Sequence, residues 1–226
     1  MIVLVCLESP RPSQASRAAL NLACSLGKNA QVIVLSAGGG AENASCELAR
    51  QSMAVRRIVQ LRDPALDGAD FLTLGMVLAE ASKHLEARVL LVGEHSDEEG
   101  QGLVPAALAH HLCAPLLARV HGVEVSATNE EVLQVTVRAS GCLCKVSSAL
   151  PIVLATSSTT ASASPQPALG SMSTSPTVET LSLSQLGLDH SRLVPRPDLL
   201  GSRVPAKTYL VEYKTFDEAA QLLLRS

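Results

Sequence analysis

Across residues 2–113, short strand-like runs rich in apolar residues alternate four times with segments that repeat small or apolar residues at helical spacing, and nothing else in the chain limits its fold so tightly. The runs are IVLVCL (2–7), AQVIVLS (30–36), RRIVQL (56–61) and ARVLLVG (87–93). A run without polar alternation is covered on both faces, which marks a strand inside a parallel sheet. Ser13 is placed to cap a helix whose Ala15, Ala18, Ala19, Leu22 and Leu26 share one face and which stops at Gly27. The glycines GGG (38–40) lead into a second helix, AENASCELARQSM. Asp63-Pro64 breaks the pattern, because proline disfavours helix in the residue before it, and Asp70 is placed to cap a third helix reaching Glu86. A fourth helix is expected over 102–113. Four βα units predict an α/β, Rossmann-like, doubly wound and mostly parallel sheet with right-handed crossovers. Such a sheet takes its ligands beyond the carboxyl ends of its strands.

After residue 113 the pattern changes. EVLQVTVRA (131–139) alternates as a half-exposed strand, and ALPIVLAT (149–156) reads as another apolar strand. The tract TSSTTASASPQPALGSMSTSPT (156–177) has too little apolar surface to build a core and reads as a linker. The expected organisation is therefore an α/β domain over 1–156, a Ser/Thr/Pro-rich tract over 157–178, and a C-terminal arm with short helices over 179–226. In that arm ETLSLSQLGL reads as a short helix, and TFDEAAQLLLR opens on a capping box of Thr215 with Glu218.

Bulk properties remove several function classes. A chain of 226 residues with 47% hydrophobic content can bury a real core. A net charge of −3 and 2% aromatic residues, with no Trp, give neither the basic footprint nor the stacking platforms of a nucleic-acid binder. No run approaches the roughly 18 apolar residues of a membrane helix, so no membrane span is expected. MIVLVCL is too short for a signal peptide and lacks a basic start. A soluble protein is expected, and an Ala- and Arg-rich, Lys-poor chain that opens directly on a strand suits a bacterial cytoplasm.

The titratable residues offer little catalytic pattern. The cysteines at 6, 24, 46, 113, 142 and 144 form no disulfide framework and are expected as buried free thiols. Cys142 and Cys144 make a lone C-x-C without the partner pair a zinc site needs, so no metal is expected. His110 and His111 are adjacent, point about 100° apart on a helix, and cannot share one metal. Arg56 and Arg57 are expected on a solvated edge. No Ser–His–Asp order suggests a nucleophile.

The segment VLLVGEHSDEEGQGLVP (89–105) carries the strongest functional signal: an inner strand, a small-residue loop, then a helix start. Unpaired N–H groups at that helix start and its dipole favour an anion. Gly93, Gly100 and Gly102 let a phosphate approach the backbone, and Ser96 and Gln101 can add hydrogen bonds. The loop is neither G-x-G-x-x-G nor a Walker A motif and holds no Lys. Its chemistry alone leaves a nucleotide cradle and a plain surface turn both open.

The segment GEHSDEEGQGLVPAALAHHL resembles the electron transfer flavoprotein β-subunit family, in which Gly93, Ser96, Gly100, Gln101 and Pro105 match in order. The likeness extends to VIVLSAGG, DPALDGAD (63–70), LPIVLAT (150–156) and SQLGL (184–188). It implies a subunit that is an electron carrier rather than a bond-making catalyst. It implies AMP, or a second FAD, held by Cys6, Ala37 and the loop residues Gly93, Ser96, Gly100, Gln101 and Gly102. It implies an α subunit carrying FAD as heterodimer partner, and a dehydrogenase or quinone-linked oxidoreductase docked by Leu169 with Met172 beside it. The chain departs from the family pattern in three places. It reads LESPRPS where the family carries Lys-Gln-Val-Pro-Asp, it has His95 in place of a Gln, and Ser173, Thr174 and Ser175 replace the lysines after the docking leucine. Two alternatives stay open: a degenerate scaffold subunit without nucleotide, and an ATP-binding stress-type protein of the same topology. Against the second, ATP chemistry needs its phosphate charge neutralised, and the loop offers acids and no Lys or Arg.

Overall fold

A computed structural model of the chain describes residues 1–8, 12–26, 30–38, 44–52, 54–66, 69–94, 102–126, 129, 131–158, 175–189 and 193. The four expected βα units form in order. They are β1 (Ile2–Glu8) with α1 (Gln14–Ser25), β2 (Gln31–Ala37) with α2 (Ala44–Arg50), β3 (Val55–Leu61) with α3 (Phe71–His84), and β4 (Val89–Gly93) with α4 (Val104–Leu112). Then come β5 (Leu116–Leu117), β6 (Val120–Val125), β7 (Val132–Ala139), β8 (Cys142–Ala149), β9 (Ile152–Thr156) and β10 (Thr177–Leu181).

Seven strands make one parallel sheet in the order β10-β3-β2-β1-β4-β9-β5. The chain winds outward from β1 through β2 to β3, and then returns past β1 to β4. Right-handed crossovers in opposite directions put the helices on opposite faces. Val3, Val5 and Leu7 of β1 accordingly pack with α1 and α2, while Leu4 and Cys6 pack with α3 and α4. Both faces of the sheet are covered, which is why its inner strands read as unbroken apolar runs.

Capping follows the sequence. The Ser13 side chain accepts from Ser16 N–H at 3.1 Å, and Asp70 Oδ1 accepts from Thr73 N–H at 2.7 Å. Helices α3 and α4 cross closely because Gly75 lies against Ala107: a Cβ on Gly75 would sit 2.5 Å from the Ala107 Cβ.

A second sheet is an antiparallel ribbon, β6-β7-β8. One of its faces buries Val120, Val123, Leu133 and Val135 in the core on the α1 side. Its opposite face is polar, with Gln134 donating to Ser147 at 2.8 Å. Arg88, just ahead of β4, holds the ribbon through a bidentate ion pair with Glu131. The guanidinium keeps the Glu131 carboxyl below its ordinary range, and the Arg88 pKa is raised in turn, in both cases chiefly through their hydrogen bonds.

Three expectations change. ETLSLSQLGL, expected as a short helix, is divided instead: Thr177–Leu181 is an edge strand on β3, and Ser184–Leu186 is one 3-10 turn ended by Gly187 at φ 70. Pairing decides this, because Arg57 reaches Glu179 at 2.5 Å and only Leu181 of the strand is buried. Arg57 is for the same reason half-buried and paired rather than solvated. Of the thiols, Cys6 and Cys46 are buried and Cys24 half-buried, but Cys113, Cys142 and Cys144 are exposed. Cys113 sits at the end of α4 at φ 50, and the other two lie on the outermost ribbon strand. The Thr215–Glu218 capping box lies outside the described residues. Among the described residues no helix is long and apolar enough to cross a membrane.

Candidate functional site

The winding reverses between β1 and β4, and in an open α/β sheet that reversal leaves a crevice at the carboxyl ends of the two strands. Register lines up its floor. Cys6 lies beside Leu35 and Val92, Glu8 beside Ala37, and Gly93 beside Thr156. Cys6, Ala37 and Gly93, singled out from sequence, thus fall on the same edge of three adjacent strands. Cys6 is buried against the α3 and α4 side, and Ala37 is half-buried where β2 ends.

Gly93 is fixed by packing. A Cβ there would lie 2.5 Å from Ser16 Oγ, 2.9 Å from Ser16 N and 3.3 Å from the Ala15 carbonyl carbon. The first turn of α1 therefore rests directly on the β4 backbone, and no larger residue fits without moving one of them. Thr156 locks the junction from the other side. Its hydroxyl donates to the Ala15 carbonyl at 2.8 Å, with the Val92 carbonyl at 3.3 Å, and its own carbonyl accepts from Glu94 N–H at 2.7 Å. Ser16 Oγ is enclosed in this contact without a hydrogen-bond partner among the described residues.

The helix starts on this edge differ. Side chains close α1 and α3, through Ser13 and Asp70, but Leu103 ahead of α4 gives no side-chain cap. The second helical residue, Pro105, has no N–H to satisfy, and the N–H groups of Val104 and Ala106 precede the first intrahelical bond, Ala107 N–H to the Leu103 carbonyl at 3.0 Å. Gly102, at φ 62, turns the chain into that start. Across the edge, Gly38 turns at φ 150 at the end of β2 and donates its N–H to the Leu61 carbonyl at 3.1 Å.

Backbone without side chains at 38, 93 and 102, with an uncapped nine-residue helix beside it, is chemically suited to a phosphate-bearing ligand. A nucleotide would be held by main-chain groups here, with Cys6 and Ala37 as wall. Ser96, Gly100, Gln101, Leu169 and Met172 lie outside the described residues. Sequence reasoning gave no role to Ser16 or Thr156. The signal was present: Ser16 is a polar residue on the small, buried face of α1, and Thr156 ends an apolar strand.

Other clusters are poorer. His110 and His111 meet edge to face with ring centroids 5.5 Å apart. Among the described residues no group of three His, Cys, Asp or Glu side chains is placed to hold a metal ion. A family model described as electron transfer flavoprotein domain matches residues 3–186, which spans β1 to the last 3-10 turn. No curated protein matches the chain.

Proposed function

We propose a β-type role for this chain, which belongs to the electron transfer flavoprotein domain family. In this reading it binds one nucleotide, AMP, in the crevice between β1 and β4. It pairs with an FAD-carrying α subunit, and the heterodimer passes electrons from dehydrogenases to an acceptor such as a quinone-linked oxidoreductase. The observation that carries the reading is the fit of Gly93 against α1 beside the uncapped start of α4. Together they keep side chains away from the place where a phosphate would meet backbone N–H groups. Cys6, Ala37, Gly93, Ser96, Gly100, Gln101 and Gly102 are assigned to the nucleotide, and Leu169 with Met172 to docking the dehydrogenase.

FAD, when bound, supplies the redox chemistry. This chain's residues position, enclose and dock, and carry out no bond-making step themselves. The test is mass spectrometry of the small molecules released on denaturing the chain, purified with a co-expressed α partner. One AMP and one FAD per heterodimer is the expected result. Two FAD would move the reading to an electron-bifurcating relative, ATP to the stress-type protein, and FAD without any adenine mononucleotide to a scaffold subunit.

A further inference from the structure

Strand β8 is the least finished part of the described chain. All eight residues pair with β7, from Cys142 beside Ala139 to Ala149 beside Val132, and no described strand lies on the outer side. Six of the eight are exposed, Leu143 at 59%, and Val146 and Ser148 are half-buried. A long edge of this kind is normally blunted by charge, proline or a bulge. Here Lys145 is its one charge, and the β7–β8 register runs without a shift.

Hydrogen-bond alternation fixes which groups face outward. Leu150 N–H donates to the Glu131 carbonyl at 3.1 Å, and on the other side of β7 Ser126 N–H donates to the Val132 carbonyl at 3.0 Å. Antiparallel strands bond at alternate residues. The odd residues of β7 therefore bond to Cys142, Cys144, Val146 and Ser148. Leu143, Lys145, Ser147 and Ala149 aim their N–H and carbonyl groups away from the sheet.

We infer that β8 is an edge for self-association: two copies of this chain pair antiparallel along β8, about a twofold axis through Val146. Only this register pairs all four outward residues of each copy, Leu143 with Ala149 and Lys145 with Ser147. An axis at Lys145 sets two ammonium groups face to face and strands Ala149. An axis at Cys144 leaves Ser147 and Ala149 unpaired. An axis at Ser147 puts Leu143 opposite Pro151, which has no N–H. The chosen axis also sets Val146 against Val146 and Cys144 against Ser148. These lie on the ribbon face that buries Leu133 and Val135, so the apolar face continues from one copy into the other. The inference does not depend on nucleotide binding.

The test uses the full chain. Sedimentation across a concentration series is expected to show a monomer–dimer equilibrium. Ser147→Pro removes one outward N–H per copy and leaves the β7 ladder intact, as edge prolines do. It is expected to weaken dimerisation more than about tenfold, while at a concentration where both proteins are monomeric the melting temperature changes by no more than the loss of the exposed Gln134–Ser147 bond allows. Val146 faces itself at a non-hydrogen-bonded position, where Cα atoms lie about 4.5 Å apart, within disulfide range. V146C, with C113S, C142S and C144S removing the exposed thiols, is therefore expected to cross-link when diamide takes the two electrons and two protons from the thiol pair. A monomer at every concentration overturns the inference. So does a dimer that survives Ser147→Pro and does not cross-link through V146C.

Discussion

Strands β4 and β8 differ in almost every respect that a strand can. Every residue of β4 is buried, and it is paired on both edges, with β1 and with β9. β8 is paired on one edge and mostly exposed on both faces. The first is specified by its own composition, since VLLVG has no water-facing side to satisfy. The second is specified by its neighbour: the ladder with β7 holds it extended although its side chains bury little. Burial writes a strand into the sequence, whereas pairing alone does not.

Truncation should expose the contrast most sharply. Leu133, fully buried where the ribbon joins the core, should lose about 2–5 kcal/mol on Leu133→Ala. The same change at Leu143, one strand over, should stay within about 0.5 kcal/mol. Urea unfolding of both variants checks this, and equal losses would mean that β8 is covered. Next comes Gly93→Ala, which drives a methyl group into the Ser16 backbone and should cost about 1–3 kcal/mol. Under the proposed role, the AMP released on denaturation should fall with it.

Ser16→Ala sharpens the comparison from the opposite direction. It deletes a buried hydroxyl without a partner and should stabilise by about 1 kcal/mol in the same assay. A loss instead would show that the hydroxyl is satisfied in solution. The smallest effect belongs to Arg88 and Glu131, the exposed pair that holds the ribbon to the sheet. The folded-state pKa of Glu131 is depressed, so the contribution of the pair is complete above the unfolded value near 4.5 and fades as pH falls through the folded one. Melting temperatures of wild type and Glu131→Gln should therefore converge in acid. A gap that is constant with pH would remove the ion pair as its cause.

The same distinction explains what was legible in the sequence. The four βα units, the Ser13 and Asp70 caps and the parallel sheet were readable because buried faces and cap residues leave local signatures. β8 was not, since CLCKVSSA carries no apolar face that its surroundings demand. β10 was read as helix because its strand state depends on β3 and on Arg57, both more than a hundred residues earlier. In the candidate site Gly93 announced itself through its loop. Thr156 and Ser16 did not, because their importance arises only where α1, β4 and β9 converge.

The Thr156 latch also has a consequence for how the protein is made. Its hydroxyl bonds residues 141 and 64 positions earlier in the chain. On a ribosome, domains acquire structure as the chain emerges from its N-terminus. β1 through β4 are then synthesised well before the crevice has its far wall, and the whole ribbon emerges before β9 exists to enter between β4 and β5. β5 must wait as well, because among the described residues β9 is its only strand partner in the sheet. A nascent chain released before residue 156 would carry all four βα units without the bonds by which Thr156 ties α1 to β4, so translation itself sets the earliest moment at which that junction can close.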